Sequence, residues 1–280
     1  MIIDAHQHFW RYDAGQYDWI DASMTRIRRD YTPGDVAPLL WARGVAGTIA
    51  VQARQVADET AWLLALAAEH PDQIKGVVGW APLRERGVEI DAMLDSWGRG
   101  GALKGLRHVL QGEPDGYMAD PNFNAAVARL AARNLSYDLL VRADQLQAAI
   151  RFVDRHPDLS IVLDHIGKPV VNGRPDPAWV GAIQELARRD NVWCKFSGVA
   201  TEVPGTDWNA ALVRPYFETV LAAFGAGRLM FGSDWPVCLL ATEYLDWFDF
   251  VQAEVAALSP AEQADIMGET AARFYRIGHK

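Results

Sequence analysis

The sequence predicts an α/β fold: a (β/α)8 TIM barrel with an additional C-terminal helix and a long loop after strand 1. Three observations predict it. Eight short runs of aliphatic and β-branched residues alternate with longer amphipathic stretches from one end of the 280-residue chain to the other. Strands alternating with helices imply a parallel sheet joined by right-handed crossovers. The first strand ends in His-Phe-Trp, and no GxGxxG or Walker pattern occurs anywhere, which disfavours an open nucleotide-binding sheet. No Gly/Ser-rich linker or charge block divides the chain, so residues 1–280 read as a single barrel domain.

The first strand is IIDAHQHF from Ile2. Alternation of strand side chains puts Ile2, Asp4, His6 and His8 on one face, with both histidines aimed into the upper barrel. Some two dozen residues then separate Phe9 from a helix start at Pro33-Gly34-Asp35, and they contain Trp10, Tyr12, Tyr17, Trp19 and Tyr31. A loop this long in a compact domain is more often functional than accidental. Following strand 1, it belongs to the C-terminal face of the barrel, where barrel enzymes place their active sites.

The next strands are VAGTIAVQA from Val45, ending near Gln52, IKGVVGWAPL from Ile74, carrying Trp80, and ALKGLRHV from Ala102, carrying Arg107 and His108. Arg107 and His108 have opposite parity, so they face the same way only at a bend or a strand end. Asp120-Pro121 supplies an N-cap and a proline at the first helical position, and Phe123, Val127 and Leu130 recur behind it at helical spacing. The fifth strand is LSYDLLV from Leu135, and the sixth is LSIVLDHIG from Leu159, which brings His165 to its end. Asp176-Pro177 repeats the cap, with Trp179, Ile183 and Leu186 behind it.

VWCKFSGVA from Val192 is the seventh strand, with Lys195 and Ser197 on one face; a lysine facing inward there requires a carboxylate partner. LMFGSDWP from Leu229 is the eighth and ends at Asp234 and Trp235. Ser259-Pro-Ala-Glu is a capping box that opens one last helix running to Ile277. Two helices end in the same phrase, Glu69-His70-Pro71-Asp72 and Arg155-His156-Pro157-Asp158, where a last-turn histidine suits the negative end of the dipole. His70, His156 and the terminal His279 are given no chemistry.

Composition narrows the function. Hydrophobic residues make up 50% and charged residues 22%, with a formal net charge of -9 and no Lys/Arg-rich run, which argues against nucleic acid or an anionic membrane as partner. No apolar run reaches the ~18 residues of a membrane span, and no signal-peptide core precedes the first strand. Cys194 and Cys238 have no metal-site or CxxC spacing, so the expectation is a cytoplasmic protein with reduced thiols. Oligomeric state is left open.

If the barrel closes, strands one, six and eight bring His6, His8, His165 and Asp234 to one rim. Imidazoles can hold a divalent ion or hydrogen-bond a polarised carbonyl, and a carboxylate beside them can take a proton from water. A barrel interior is ordinarily layers of Val, Ile and Leu, so a polar cluster there needs a reason. Gln52, Trp80, Arg107, His108 and Trp235 are the candidates for substrate contact, and Trp10, Trp19 and Trp235 could stack on a sugar ring.

HxH on strand one, His on strand six and Asp on strand eight resemble the amidohydrolase superfamily. The phrases IDAHQHFW, GLRH, LDHIGKP, CKFSG and GSDWPV resemble its sugar-lactonase branch, of the L-fuconolactonase and L-rhamnonolactonase kind. The resemblance runs from Ile2 to the C-terminal helix. It implies a carboxylic ester hydrolase of carbohydrate catabolism, such as L-fucose degradation, acting on a small-molecule sugar lactone. It also implies Asp234 as the base for water and His6, His8 and His165 as the groups that polarise the carbonyl. Strand five carries neither the bridging lysine nor the histidine of metal-rich members. The implied enzyme therefore requires no cofactor, although the same four residues could hold one zinc ion. Two alternatives share these residues: a metal-dependent decarboxylase and a dicarboxylate lactone hydrolase.

Overall fold

The computed structural model describes residues 1–84, 88–114, 116–205 and 208–278; His279 lies outside them. Eight parallel strands follow in sequence order: β1 (Ile2–Gln7), β2 (Val45–Val51), β3 (Ile74–Gly79), β4 (Leu103–His108), β5 (Ser136–Leu139), β6 (Ile161–Leu163), β7 (Val192–Phe196) and β8 (Leu229–Phe231). The barrel closes just beyond the strands. His8 N donates to Trp235 O at 2.7 Å and Asp234 N to His6 O at 2.8 Å. The predicted (β/α)8 barrel is the observed one.

Eight helices cover the sheet: α1 (Pro33–Ala42), α2 (Ala57–Glu69), α3 (Val88–Gly98), α4 (Pro121–Ala131), α5 (Leu146–Asp154), α6 (Pro177–Ala187), α7 (Ala210–Phe224) and α8 (Tyr244–Val255). The expected caps form, with Asp120 accepting from Asn122 N and Phe123 N and Asp176 from Ala178 N and Trp179 N. Each is worth about 1 kcal/mol against alanine. The helices bury one face each against the strands in a continuous apolar layer that includes Leu63, Phe123, Leu130, Ile183 and Phe217. Among the described residues no helix is long and apolar enough to cross a membrane, and Cys194 and Cys238 are free and buried.

Four expectations need correction. First, His6 and His8 do not share a face with Asp4. Residues Asp4 to Gln7 of β1 oppose only Thr48 to Ala50 of β2, so one extra residue bulges there. Below the bulge Ile3 and Ala5 fill the barrel with Ile49, Val51, Val78, Val162 and Met230. Asp4 instead accepts from Ser233 N at 2.9 Å. Second, the sixth strand stops at Leu163, because Asp164–Gly167 turns with His165 and Ile166 in the left-handed region, at φ 52° and 50°.

Third, the C-terminal segment is not one helix. Ser259 caps α9 (Pro260–Ala264), a wider π-type turn covers Asp265–Glu269, and α10 (Thr270–Phe274) follows. The break lies where Gly268 passes so close to Met1 O and Ile3 N that no side chain would fit. This packing sends Phe274 and Tyr275 into the bottom of the barrel. Fourth, His156 is no cation at a helix end. It is buried against Phe152, bonded to Asn124 Oδ1 at 2.9 Å, and burial lowers its pKa to about 4, so it is neutral.

The long loop builds a core of its own. Trp10 and Tyr31 exchange backbone hydrogen bonds of 3.0 and 2.9 Å, pinching it into a closed strap. The buried rings of Trp10, Tyr17 and Tyr31 pack together, while Trp19 stands edge-on to Trp10 and stays 36% exposed.

Candidate active site

The strap, the turns after β2, β4, β5, β6 and β7, and the segment after β8 surround a cavity of about 730 Å³ at the C-terminal end of the barrel. His8, Arg107, His165 and Asp234 line it, with Trp19 and Gln16 on the strap side and Lys168 and Glu202 opposite. His6 lies just beneath, fully buried.

Asp234 is the hub. Its Oδ1 lies 3.2 Å from His8 Nε2, 3.6 Å from His6 Nε2 and 4.0 Å from His165 Nε2. Both Asp234 and His165 hold left-handed backbone, at φ 58° and 52°, which costs a non-glycine residue of order 1 kcal/mol or more. Gly198 makes this geometry fit. A Cβ there would fall 2.5 Å from His165 Nδ1 and 2.9 Å from Asp234 Oδ2, and its φ of +62° suits glycine.

Charge states follow from surroundings. Burial would raise the Asp234 carboxyl, but attraction to His165, the His8 hydrogen bond and the remaining imidazoles outweigh it and hold it well below the usual carboxylate range. Burial lowers His165 to about 4, against the pull of Asp234 and Asp164, and takes His6 well below its ordinary value. At neutral pH the centre is therefore a carboxylate among uncharged His6 and His165 rings. His8 Nδ1 lies 2.8 Å from Val51 O, which can only accept, so Nδ1 carries a hydrogen. Its Nε2 then points at Asp234 Oδ1, and two acceptors facing at 3.2 Å need a proton or a cation between them.

That arrangement fits a divalent ion. His6, His8 and Asp234 present ligand atoms within 4.8 Å of one another, and so do His6, Asp164 and His165. Imidazole nitrogen with carboxylate oxygen is a donor set suited to zinc, and a second ring nitrogen tied to a backbone carbonyl is how metal-ligating histidines are usually oriented.

The remaining candidates divide. Arg107 reaches the cavity, donating to Asp164 Oδ2 at 3.2 Å and to Gln52 Oε1 at 2.9 Å. Gln52 thus holds Arg107 and does not line the cavity. His108 turns to the helix side, as its opposite parity requires. It receives Trp80 Nε1–H at 3.1 Å, meets Glu113 at 2.7 Å and stacks on Tyr117. Trp80, His108 and the buried Trp235, which packs edge-on to Phe9 and Tyr31, stand outside the cavity. Of the three tryptophans considered for stacking, only Trp19 borders it.

Lys195 has the partners its inward position demanded, Asp138 and Asp164. These two aspartates, buried beneath the candidate site, are the residues the sequence reading missed. Ser197 sits 3.0 Å from His165 Nδ1.

A family model described as an amidohydrolase matches residues 3–277. An L-fucono-1,5-lactonase of Burkholderia multivorans is 43% identical, the match covering 99% of this chain and 96% of that one. A second L-fucono-1,5-lactonase, from Burkholderia ambifaria, is 36% identical over 98% of this chain and 95% of its own. An amidohydrolase from Burkholderia multivorans, solved with bound zinc, superposes with a TM-score of 0.94 at 42% identity, covering 99% and 100% of the two chains.

Proposed function

The chain belongs to the amidohydrolase family, and from that premise we propose that it hydrolyses an aldonolactone of the L-fucono-1,5-lactone type to its open sugar acid. The observation that carries this reading is Asp234, a carboxylate ringed by three imidazoles at the floor of a cavity large enough for one sugar ring.

Asp234 takes a proton from water, and the water oxygen attacks the lactone carbonyl carbon. The carbonyl oxygen gathers negative charge, which hydrogen bonds from the surrounding imidazoles and Arg107 stabilise. The ester C–O bond then breaks, and the proton on Asp234 passes to the departing ring oxygen. A carboxylate held far below its usual pKa is a weak base. As the oxyanion draws the imidazole donors to itself, Asp234 loses their support and its basicity rises when the proton must move.

The cavity favours an uncharged lactone over a dicarboxylate one. Among the described residues its lining cations are already paired: Arg54 with Glu59 at 3.6 Å, Arg107 with Asp164 at 3.2 Å and Lys168 with Glu202 at 2.9 Å. Arg11 is exposed and does not line the cavity. The polar groups suit hydroxyls, and Met24, Val237 and Leu240 give one side an apolar wall.

His6, His8, His165 and Asp234 would hold a zinc ion, which supplies Lewis-acid polarisation of a carbonyl when bound. We propose that lactone hydrolysis does not require it, since neutral imidazoles and a guanidinium already address the oxyanion. The test is a pH-indicator assay over a panel of five- and six-membered aldonolactones, with and without chelator. Opening of an L-fucono-type lactone that survives chelation is the expected result. No lactone opening above its spontaneous rate rejects the function; lactone opening lost to chelator and restored by zinc or manganese keeps the function and rejects the metal-independent route.

A further inference from the structure

Two walls of the cavity differ in chemistry. Met24 of the strap, Val237 and Leu240 line one of them, all half-buried. The turn Val237–Leu240 is the next structure along the chain after Asp234, and Cys238 N within it donates to Asp234 O at 2.8 Å. The strap turn Thr25–Ile27, which follows Met24, packs against it. In a closed barrel of eight strands in sequence order, β4 stands opposite β8. The loops after β2 and β4 bring Gln55 and Gln111 to that other side. Gln55 Oε1 accepts from Val109 N at 2.8 Å, which leaves its amide nitrogen to donate. Gln111 Oε1 is buried and, among the described residues, meets no donor. A buried acceptor left without a donor is costly, and a ligand hydroxyl would satisfy it.

We propose that Met24, Val237 and Leu240 are the specificity-determining residues of the site: they seat the C6 methyl of a 6-deoxy aldonolactone and discriminate against lactones that carry a hydroxyl on C6. In a 1,5-lactone the carbonyl carbon C1 and the carbon C5 are both bonded to the ring oxygen. The substituent on C5 therefore lies beside the reacting bond. With the carbonyl over Asp234, that substituent falls toward the apolar turn that follows Asp234 in the chain. The hydroxyls on C2, C3 and C4 then reach across the cavity toward Gln55 and Gln111. A methyl group buries its surface against the wall at no polar cost. A hydroxymethyl group would bring an oxygen to a place where the nearby polar groups are engaged. Thr201 Oγ1 donates to Gly198 O at 2.7 Å, and Glu202 is paired with Lys168 at 2.9 Å.

The proposal rests on the lactonase reading and is tested with two substrates, L-fucono-1,5-lactone and L-galactono-1,5-lactone, which differ only in the C6 hydroxyl. The parent should favour the deoxy lactone in kcat/KM by about 10- to 100-fold, the range over which an apolar pocket resolves one added hydroxyl. Met24→Gln and Leu240→Asn, each close to its parent in size, should lower that ratio roughly 3-fold or more. A general folding fault lowers both lactones alike, so the ratio reports the wall alone. Gln111→Leu should cost both lactones about 3- to 10-fold, the worth of one hydrogen bond, and keep the ratio. A parent ratio near unity, a parental ratio in both wall variants, or a ratio that moves with Gln111→Leu instead overturns the proposal. If no lactone is opened, the lactonase function falls, and calorimetry with 1,5-anhydro-L-fucitol and 1,5-anhydro-L-galactitol, which have no carbonyl to attack, still decides the wall. Tighter binding of the deoxy ring that is lost in Met24→Gln supports it, and equal affinities in the parent overturn it.

Discussion

His8 and Asp234 face each other across 3.2 Å, Nε2 to Oδ1, while the other nitrogen of the His8 ring is tied to Val51 O at 2.8 Å. The carbonyl fixes the ring, and the ring fixes what Asp234 meets. Replacing Asp234 by Asn keeps the size and removes the proton acceptor. The expected outcome is a fall in kcat of about 10²- to 10⁴-fold, the usual worth of a positioned general base. Substrate binding should remain, which equilibrium titration of a slow lactone can measure. A binding protein on the same barrel would show no turnover to lose.

Gly198 is the position where the site tolerates no side chain. Its φ of +62° and its approach to His165 and Asp234 mean that Gly198→Ala must push one of them aside. A displacement near 1 Å costs about 100-fold in rate. The strained backbone adds about 1–3 kcal/mol of destabilisation. Steady-state kinetics and a melting curve on the same preparation should show both losses together.

The barrel and the rim were legible in the sequence because they rest on repetition and on residue type. Eight alternating runs, the Asp-Pro caps and the His-x-His, His and Asp strand ends needed no knowledge of packing. What escaped depends on local irregularity. The bulge that turns His6 inward while leaving Asp4 outside breaks the parity on which a strand is read. Asp138 stood in plain view within LSYDLLV, a charge in an apolar run, and the reasoning that gave Lys195 a carboxylate partner would have found it. Tyr275 carried no such signal, because only the close passage of Gly268 over the first strand sends it into the barrel.

Trp19 is the ring of the strap that borders the cavity, held edge-on against buried Trp10. Among the described residues its ring packs on Trp10 and on none of the site histidines, so it addresses the bound ring and not the reacting bond. Trp19→Ala should raise KM roughly 3- to 10-fold, the worth of one aromatic contact, and leave kcat nearly unchanged. A fall in kcat at constant KM would instead mean that the strap orders the catalytic rim.

His156 makes acid stability testable away from the active site. Its folded pKa of about 4 lies below the ordinary 6.5, so between those values the unfolded chain binds the extra proton. Stability from this group is thus fully present above about pH 6.5 and is lost as pH falls toward 4. His165, also lowered to about 4, acts in the same direction. His156→Gln keeps a donor for Asn124 and removes the titration. It should flatten the decline of Tm between pH 6.5 and 4 by on the order of 1 kcal/mol, or about 2–4 °C for a chain of this size. The slope contributed by His165 remains, so a parent and variant that decline in parallel would show that His156 is not held neutral by its burial against Phe152.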